Sequence, residues 1–95
     1  MGRGGSYRIT ADGVLILSGQ PVYVYGMHIV SGNTSGTVRL RGGTVVGDPI
    51  KVQETGVTLE GATFDYGQGH YFPDGCYVDV DANVTSVDVR AELVR

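Results

Sequence analysis

Asp79, Asp81 and Asn83 fall at alternate positions of the run DGCYVDVDAN, residues 74–83. Oxygen ligands at that spacing begin a twelve-residue calcium loop, so cation binding is the first chemistry to test. If Asp79 opened such a loop, its sixth position should be Gly, for a sharp turn, and its twelfth a bidentate Glu. Val84 and Arg90 stand there instead. A β-branched residue occupies the turn, and a positive charge occupies the place of the strongest ligand. The alternation therefore reads as the end of a β-strand and its turn.

The remaining candidates for chemistry are few. His28 and His70 are the only histidines, and no Gly-x-Ser-x-Gly elbow accompanies them for nucleophilic catalysis. His70, in GQGHYFPDG, reads as a solvated or turn-capping residue, and His28 as a packed or interface histidine. Glu54 and Glu60 could be paired as glycosidase carboxylates, but spacing says nothing of their separation, and solvated strand-face charges are the simpler reading. The GG and GQG pairs are too short for phosphate loops. Cys76 is the one cysteine, in an alternating apolar pattern, and reads as a small buried hydrophobe. No catalytic, cofactor-binding or metal-ligating residue is expected.

Composition narrows the class further. A chain of 95 residues is one domain, able to bury roughly 60–65% of its unfolded surface. Its net charge is −3, with seven scattered basic residues, whereas a phosphate-binding surface clusters Lys and Arg. No nucleic-acid partner is expected. No stretch approaches the ~20 apolar residues of a membrane-spanning helix, and MGRGGSYRIT lacks a signal peptide's apolar segment. The expectation is a soluble protein, with no membrane partner, that is not secreted by the general route. MGRGGS fits a myristoylation pattern, and Asn33-Thr34-Ser35 and Asn83-Val84-Thr85 fit glycosylation sequons. Without secretory context these read as a Gly-rich arm and as turns.

The elements follow from punctuation. Sixteen glycines separate short runs rich in Val, Tyr, Thr and Ile, with period-2 alternation almost throughout and no 3.6-residue stripe. Strands are predicted at 7–10, 14–17, 22–30, 37–41, 50–53, 57–66, 70–72, 76–80 and 85–94. Val45-Val46 leads into the turn Gly47-Asp48-Pro49. Eight to nine short strands with regular turns predict an all-β fold, a single small antiparallel β-sandwich or barrel. It spans residues 7–95, behind a flexible Gly-rich arm of residues 1–6 with little to bury.

Two strands carry detailed expectations. Along 22–30, strict alternation places Val22, Val24, His28 and Val30 on one face and Tyr23, Tyr25, Met27 and Ile29 on the other. Both faces are largely apolar, which points to cover on both sides. In a chain this small the second cover could be another subunit, with Tyr23, Tyr25, Met27 and Ile29 at the contact; the alternative is tyrosine hydroxyls reaching water. Strands 76–80 and 85–94 are predicted to form a hairpin about Ala82-Asn83, pairing Val80 with Thr85, Val78 with Val87 and Cys76 with Val89. One face collects the apolar residues, with Ala91 and Leu93; the other presents Asp79, Ser86, Tyr77 and Asp88 to water.

Residues 20–93 resemble small virion structural proteins of tailed phages. The resemblance is carried by Val24-Tyr25-Gly26, the strand Val38 to Gly43 (VRLRGG), Gly75 to Asp81 (GCYVDVD) and Val84 to Val89 (VTSVDV). It implies a jelly-roll-like sandwich serving as a capsid decoration, or cement, protein. On that reading the chain is no enzyme and forms a homo-oligomer, a trimer. It binds the phage major capsid protein on the exterior of the virion, after assembly in the host cytoplasm. The arm, with Gly2, Arg3, Gly4, Gly5 and Arg8, would contact an acidic part of the shell. A rival place is a tail, fibre or head–tail component whose sandwich binds a glycan or receptor through Tyr23, Tyr25, Tyr71 or Tyr77. A β-barrel enzyme or small-molecule binder is the third reading.

Overall fold

The computed structural model describes residues 5–15 and 19–94. Among the described residues eight strands follow one another: β1 (Gly5–Ile9), β2 (Gly13–Val14), β3 (Val22–Ser31), β4 (Thr37–Gly42), β5 (Ile50–Thr55), β6 (Gly61–Phe72), β7 (Cys76–Val80) and β8 (Val84–Leu93). They form two four-stranded sheets, in the orders β1-β8-β3-β6 and β2-β7-β4-β5. Every pairing is antiparallel and the pairings nest: β1 with β8, β2 with β7, β3 with β6, β4 with β5. A long hairpin rolled over onto itself has this order, which is that of the eight-stranded jelly roll. The expected β-sandwich is what the chain forms.

Alternation builds the core. Val22, Val24, Met27 and Ile29 of β3, with Val87, Val89 and Ala91 of β8, form one wall. Val38 and Leu40 of β4, with Cys76 and Val78 of β7, form the other, and Phe72 and Leu15 join the same cluster. Each such aliphatic side chain contributes about 1.5–3 kcal/mol by leaving water.

The predicted hairpin between residues 76–80 and 85–94 does not form. β7 pairs with β2 and β4 in one sheet, while β8 pairs with β1 and β3 in the other. The inward face was read correctly for Cys76, Val78, Val87, Val89 and Ala91, all fully buried, but Thr85 is exposed and Val84 is buried in its place. Those five meet across the sandwich rather than side by side. Period-2 alternation says which side chains share a face, but not which strand lies beside them.

Asp81 makes the crossing. Its carboxylate accepts hydrogen bonds from the backbone N–H of Thr37 at 2.9 Å and of Asn83 at 2.9 Å. Its own N–H donates to the Thr37 carbonyl, and the Val84 N–H donates to the Asp81 carbonyl. The chain is thus fastened to β4 before turning into the other sheet.

β3 corrects a second expectation. A β-bulge between Val24 and Gly26 shifts its register against both β6 and β8, so the inward phase changes at Tyr25. Val22 and Val24 point into the core, and after the bulge Met27 and Ile29 do so too. Tyr23, Tyr25, Met27 and Ile29 therefore do not share a face. One extra residue reverses the alternation beyond it.

Boundaries shift as well. β1 begins at Gly5, opposite Ala91, two residues before the expected start. Strands predicted at 57–66 and 70–72 are one strand, β6, beginning at Gly61. Residues 57–60 form a turn in which Leu59 adopts φ 59°. Of the expected arm, residues 1–4 lie outside the described residues, as do the last two residues of the strand predicted at 14–17.

Candidate functional site

Three tyrosines gather on the outer face of the β1-β8-β3-β6 sheet. Tyr23 and Tyr71 are cross-strand neighbours on β3 and β6, with ring centroids 5.0 Å apart and planes at 36°. The bulge brings Tyr25 to the same face, its ring 6.3 Å from Tyr23 and inclined by 24°. The Tyr25 hydroxyl donates to Oε1 of Glu92 at 2.8 Å, and Glu92 lies opposite Tyr23 on β8.

A glycine allows this assembly. Gly69 sits at φ 107°, a conformation that L side chains rarely adopt. A Cβ there would come within 2.9 Å of the Tyr25 ring and 3.2 Å of the Tyr23 ring. β6 can pass this close beneath the rings only without a side chain. Tyr25 is thereby nearly covered, at 8% exposure, while Tyr23 and Tyr71 stay open at 36% and 45%.

The next row of the same face is ionic. The Arg90 guanidinium extends over Gly26 and lies 4.0 Å from the Asp65 carboxylate. Beyond it, Arg8 on β1 donates to Asp88 at 3.1 Å, and Nδ1 of His28 lies 2.8 Å from the Thr63 hydroxyl. His28 is exposed rather than packed. His70 is half-buried, its ring 5.0 Å from Phe72, instead of solvated.

The second surface surrounds β5, an edge strand that pairs only with β4 among the described residues. Val45, Val46 and Ile50 at one end, and Val57 and Leu59 at the other, are all about half exposed or more, Leu59 reaching 70%. The loop carrying Val45 and Val46 is held by Asp48, whose Oδ2 accepts from the N–H groups of Thr44 at 2.8 Å and Val45 at 3.1 Å. Beside β5, the Tyr66 hydroxyl donates to Glu54 at 3.0 Å. Burial raises the Tyr66 pKa, and the Glu54 hydrogen bond and charge add to it. Glu54 thus serves a tyrosine across the sandwich, and Glu60 is exposed in the preceding turn.

The carboxylates that opened the question have separate partners. Asp79 pairs with Arg41 at 3.0 Å, and the same guanidinium donates to the Asp48 carbonyl at 2.9 Å. Asp81 serves backbone N–H groups, as described above. Cys76 is fully buried, and desolvation pushes its thiol up to about 12.

Among the residues singled out from sequence, Tyr23 and Tyr25 belong to the tyrosine cluster, whereas Met27 and Ile29 are core. Gly5 and Arg8 lie on β1; Gly2, Arg3 and Gly4 lie outside the described residues. Gly69, Glu92 and the aliphatic residues around β5 were not singled out. The alternation in VYVYG and the crowded glycines of YGQGHY were the available signals. No known protein family, curated protein or solved structure matches the chain.

Proposed function

We propose that this chain is a non-enzymatic virion structural protein, which decorates and stabilises a tailed-phage capsid by binding the coat-protein shell as an oligomer. The observation that carries the reading is the aliphatic set left outside a completed core: Val45, Val46, Ile50, Val57 and Leu59 at the two ends of edge strand β5. Exposed apolar side chains concentrated beside an open strand edge are suited to association with further chains. On this reading the subunit contact lies around β5, since Met27 and Ile29, two of the four β3 residues that alternation suggested, are buried in the core. The resemblance of residues 20–93 to phage virion proteins supplies the partner. A jelly roll is compatible with the role, although fold alone does not select it.

Mechanistically, such a protein needs one surface for its own copies and one for the shell. Gly2, Arg3 and Gly4, with Gly5 and Arg8 on β1, remain the proposed shell contacts. Many equivalent copies on a lattice convert modest affinity per contact into strong retention.

The test is mass-resolved sizing of the purified chain, then cosedimentation with undecorated heads of a phage that encodes it. The expected result is a trimer in solution and saturable, stoichiometric binding to heads. Replacing Leu59 and Val46 together by Ser should shift the sizing result toward monomer. A monomer that ignores heads, or binds tails alone, overturns the proposal.

A further inference from the structure

We infer that the tyrosine cluster of β3 and β6 is a binding platform for a neutral hexose glycan, independent of the capsid reading. Tyr23 and Tyr71 are the stacking surface, and Tyr25 and Glu92 hold it in shape.

Three observations lead to that occupant. The first is rigidity. Gly69, in a backbone conformation reserved for glycine, lets the strand run directly beneath the Tyr23 and Tyr25 rings. The Tyr25 hydroxyl is fastened to Glu92 at 2.8 Å. Rings that are already ordered lose little entropy when a ligand covers them.

The second is area. Tyr23 and Tyr71 are 36% and 45% exposed; with roughly 200 Å² for a whole tyrosine side chain, they offer about 160 Å² together. That much exposed aromatic surface is enough for one or two sugar rings to lie against. A pyranose presents an apolar C–H face to an aromatic ring and hydroxyls around its edge. The tyrosine hydroxyls and the Glu92 carboxylate border the rings to receive those hydroxyls.

The third is charge. Glu92, Arg90 and Asp65 alternate in sign around the platform, and Arg90 is engaged with Asp65 at 4.0 Å. With Arg90 matched by Asp65, Glu92 leaves the rim one net negative charge, which disfavours an anionic saccharide and is compatible with a neutral one.

The experiment is NMR of the full chain with labelled tyrosine rings, titrated with cellohexaose and, separately, mannohexaose. A saturable shift at millimolar sugar, confined to the rings of Tyr23 and Tyr71 and the Gly69 amide, is expected with at least one of them. Tyr71→Ala, at an exposed edge position, should weaken binding about tenfold. Tyr77→Phe, on the other sheet, should leave it unchanged. The wild-type shift map stands as a readout independent of either variant. The inference is overturned if neither sugar produces a saturable shift, if the shifts map elsewhere, or if Tyr71→Ala binds as well as wild type. Ring signals that move with protein concentration alone would also overturn it, by assigning the cluster to a second copy of the chain.

Discussion

Asp81→Ala separates the observed crossing from the hairpin that alternation suggests. In the hairpin Asp81 would face solvent beside the turn, and its loss would cost little. In the structure its two oxygens each accept a backbone N–H, from Thr37 and Asn83, both at 2.9 Å. A hydrogen bond to a charged acceptor contributes about 1.5–3 kcal/mol where water is excluded. Asp81 is half-buried, so water competes and about half of that remains for each bond. Removing both should destabilise the domain by about 1.5–3 kcal/mol, from a total of ~5–15 kcal/mol. The loss corresponds to about 6–24 °C in Tm for a domain of this size. Asp81→Asn keeps one carbonyl acceptor and should lose about half as much. The main-chain bond from the Asp81 N–H to Thr37 survives both changes, so the arch should persist and the urea m-value should not change. Urea unfolding of the three proteins is the assay. An Asp81→Ala loss within ~0.5 kcal/mol, the range of an ordinary surface substitution, would refute the reasoning.

The bulge in β3 and the buried thiol allow two further tests. Met27→Ala removes a side chain only 1% exposed and should cost about 2–5 kcal/mol, whereas Leu59→Ser should stay within ~0.5 kcal/mol; chemical denaturation checks both. A Met27→Ala loss as small as that of Leu59→Ser would return Met27 to the outer face. Burial pushes the Cys76 thiol from its ordinary 9.0 up to about 12, so the unfolded chain, where the thiol is solvated, loses its proton first as pH rises. Stability tied to this thiol is complete below pH 9 and declines by up to ~1.4 kcal/mol per pH unit between the two values. Cys76→Ala should flatten that part of the pH–stability curve by one proton, despite its lower overall stability. An unchanged slope from pH 9 to 12 would contradict the burial of the thiol.

Much of this molecule was legible in a single period. Alternation of Val, Leu and Ile with polar residues, interrupted by glycine, was enough for an all-β sandwich of eight or nine strands. It also assigned Cys76 and Val78 of β7 and Val87, Val89 and Ala91 of β8 to the inward face, because a strand one residue out of phase would bury carboxylates such as Asp79. Alternation carries no information on which strand lies beside which. The nesting of β1 with β8 and β2 with β7 depends on contacts between residues up to eighty-six positions apart, Gly5 with Ala91 among them. The crossing at Asp81 was hidden for the same reason: its partner Thr37 belongs to a distant strand.

The tyrosine platform shows the limit most plainly. Strict alternation places Tyr23, Tyr25, Met27 and Ile29 together, and it fails at one residue, where β3 bulges against both neighbours. A bulge forms where it improves the fit of two sheets, and the gain is spread over side chains far away in sequence. The amino-acid sequence by itself determined the class of fold and the period of its strands. Only the tertiary structure decided the sheet order, the inward turn of Met27 and Ile29, and the meeting of Tyr23, Tyr25 and Tyr71 above Gly69. Periodicity is a property of neighbours along the chain, whereas these three outcomes are set by neighbours in space.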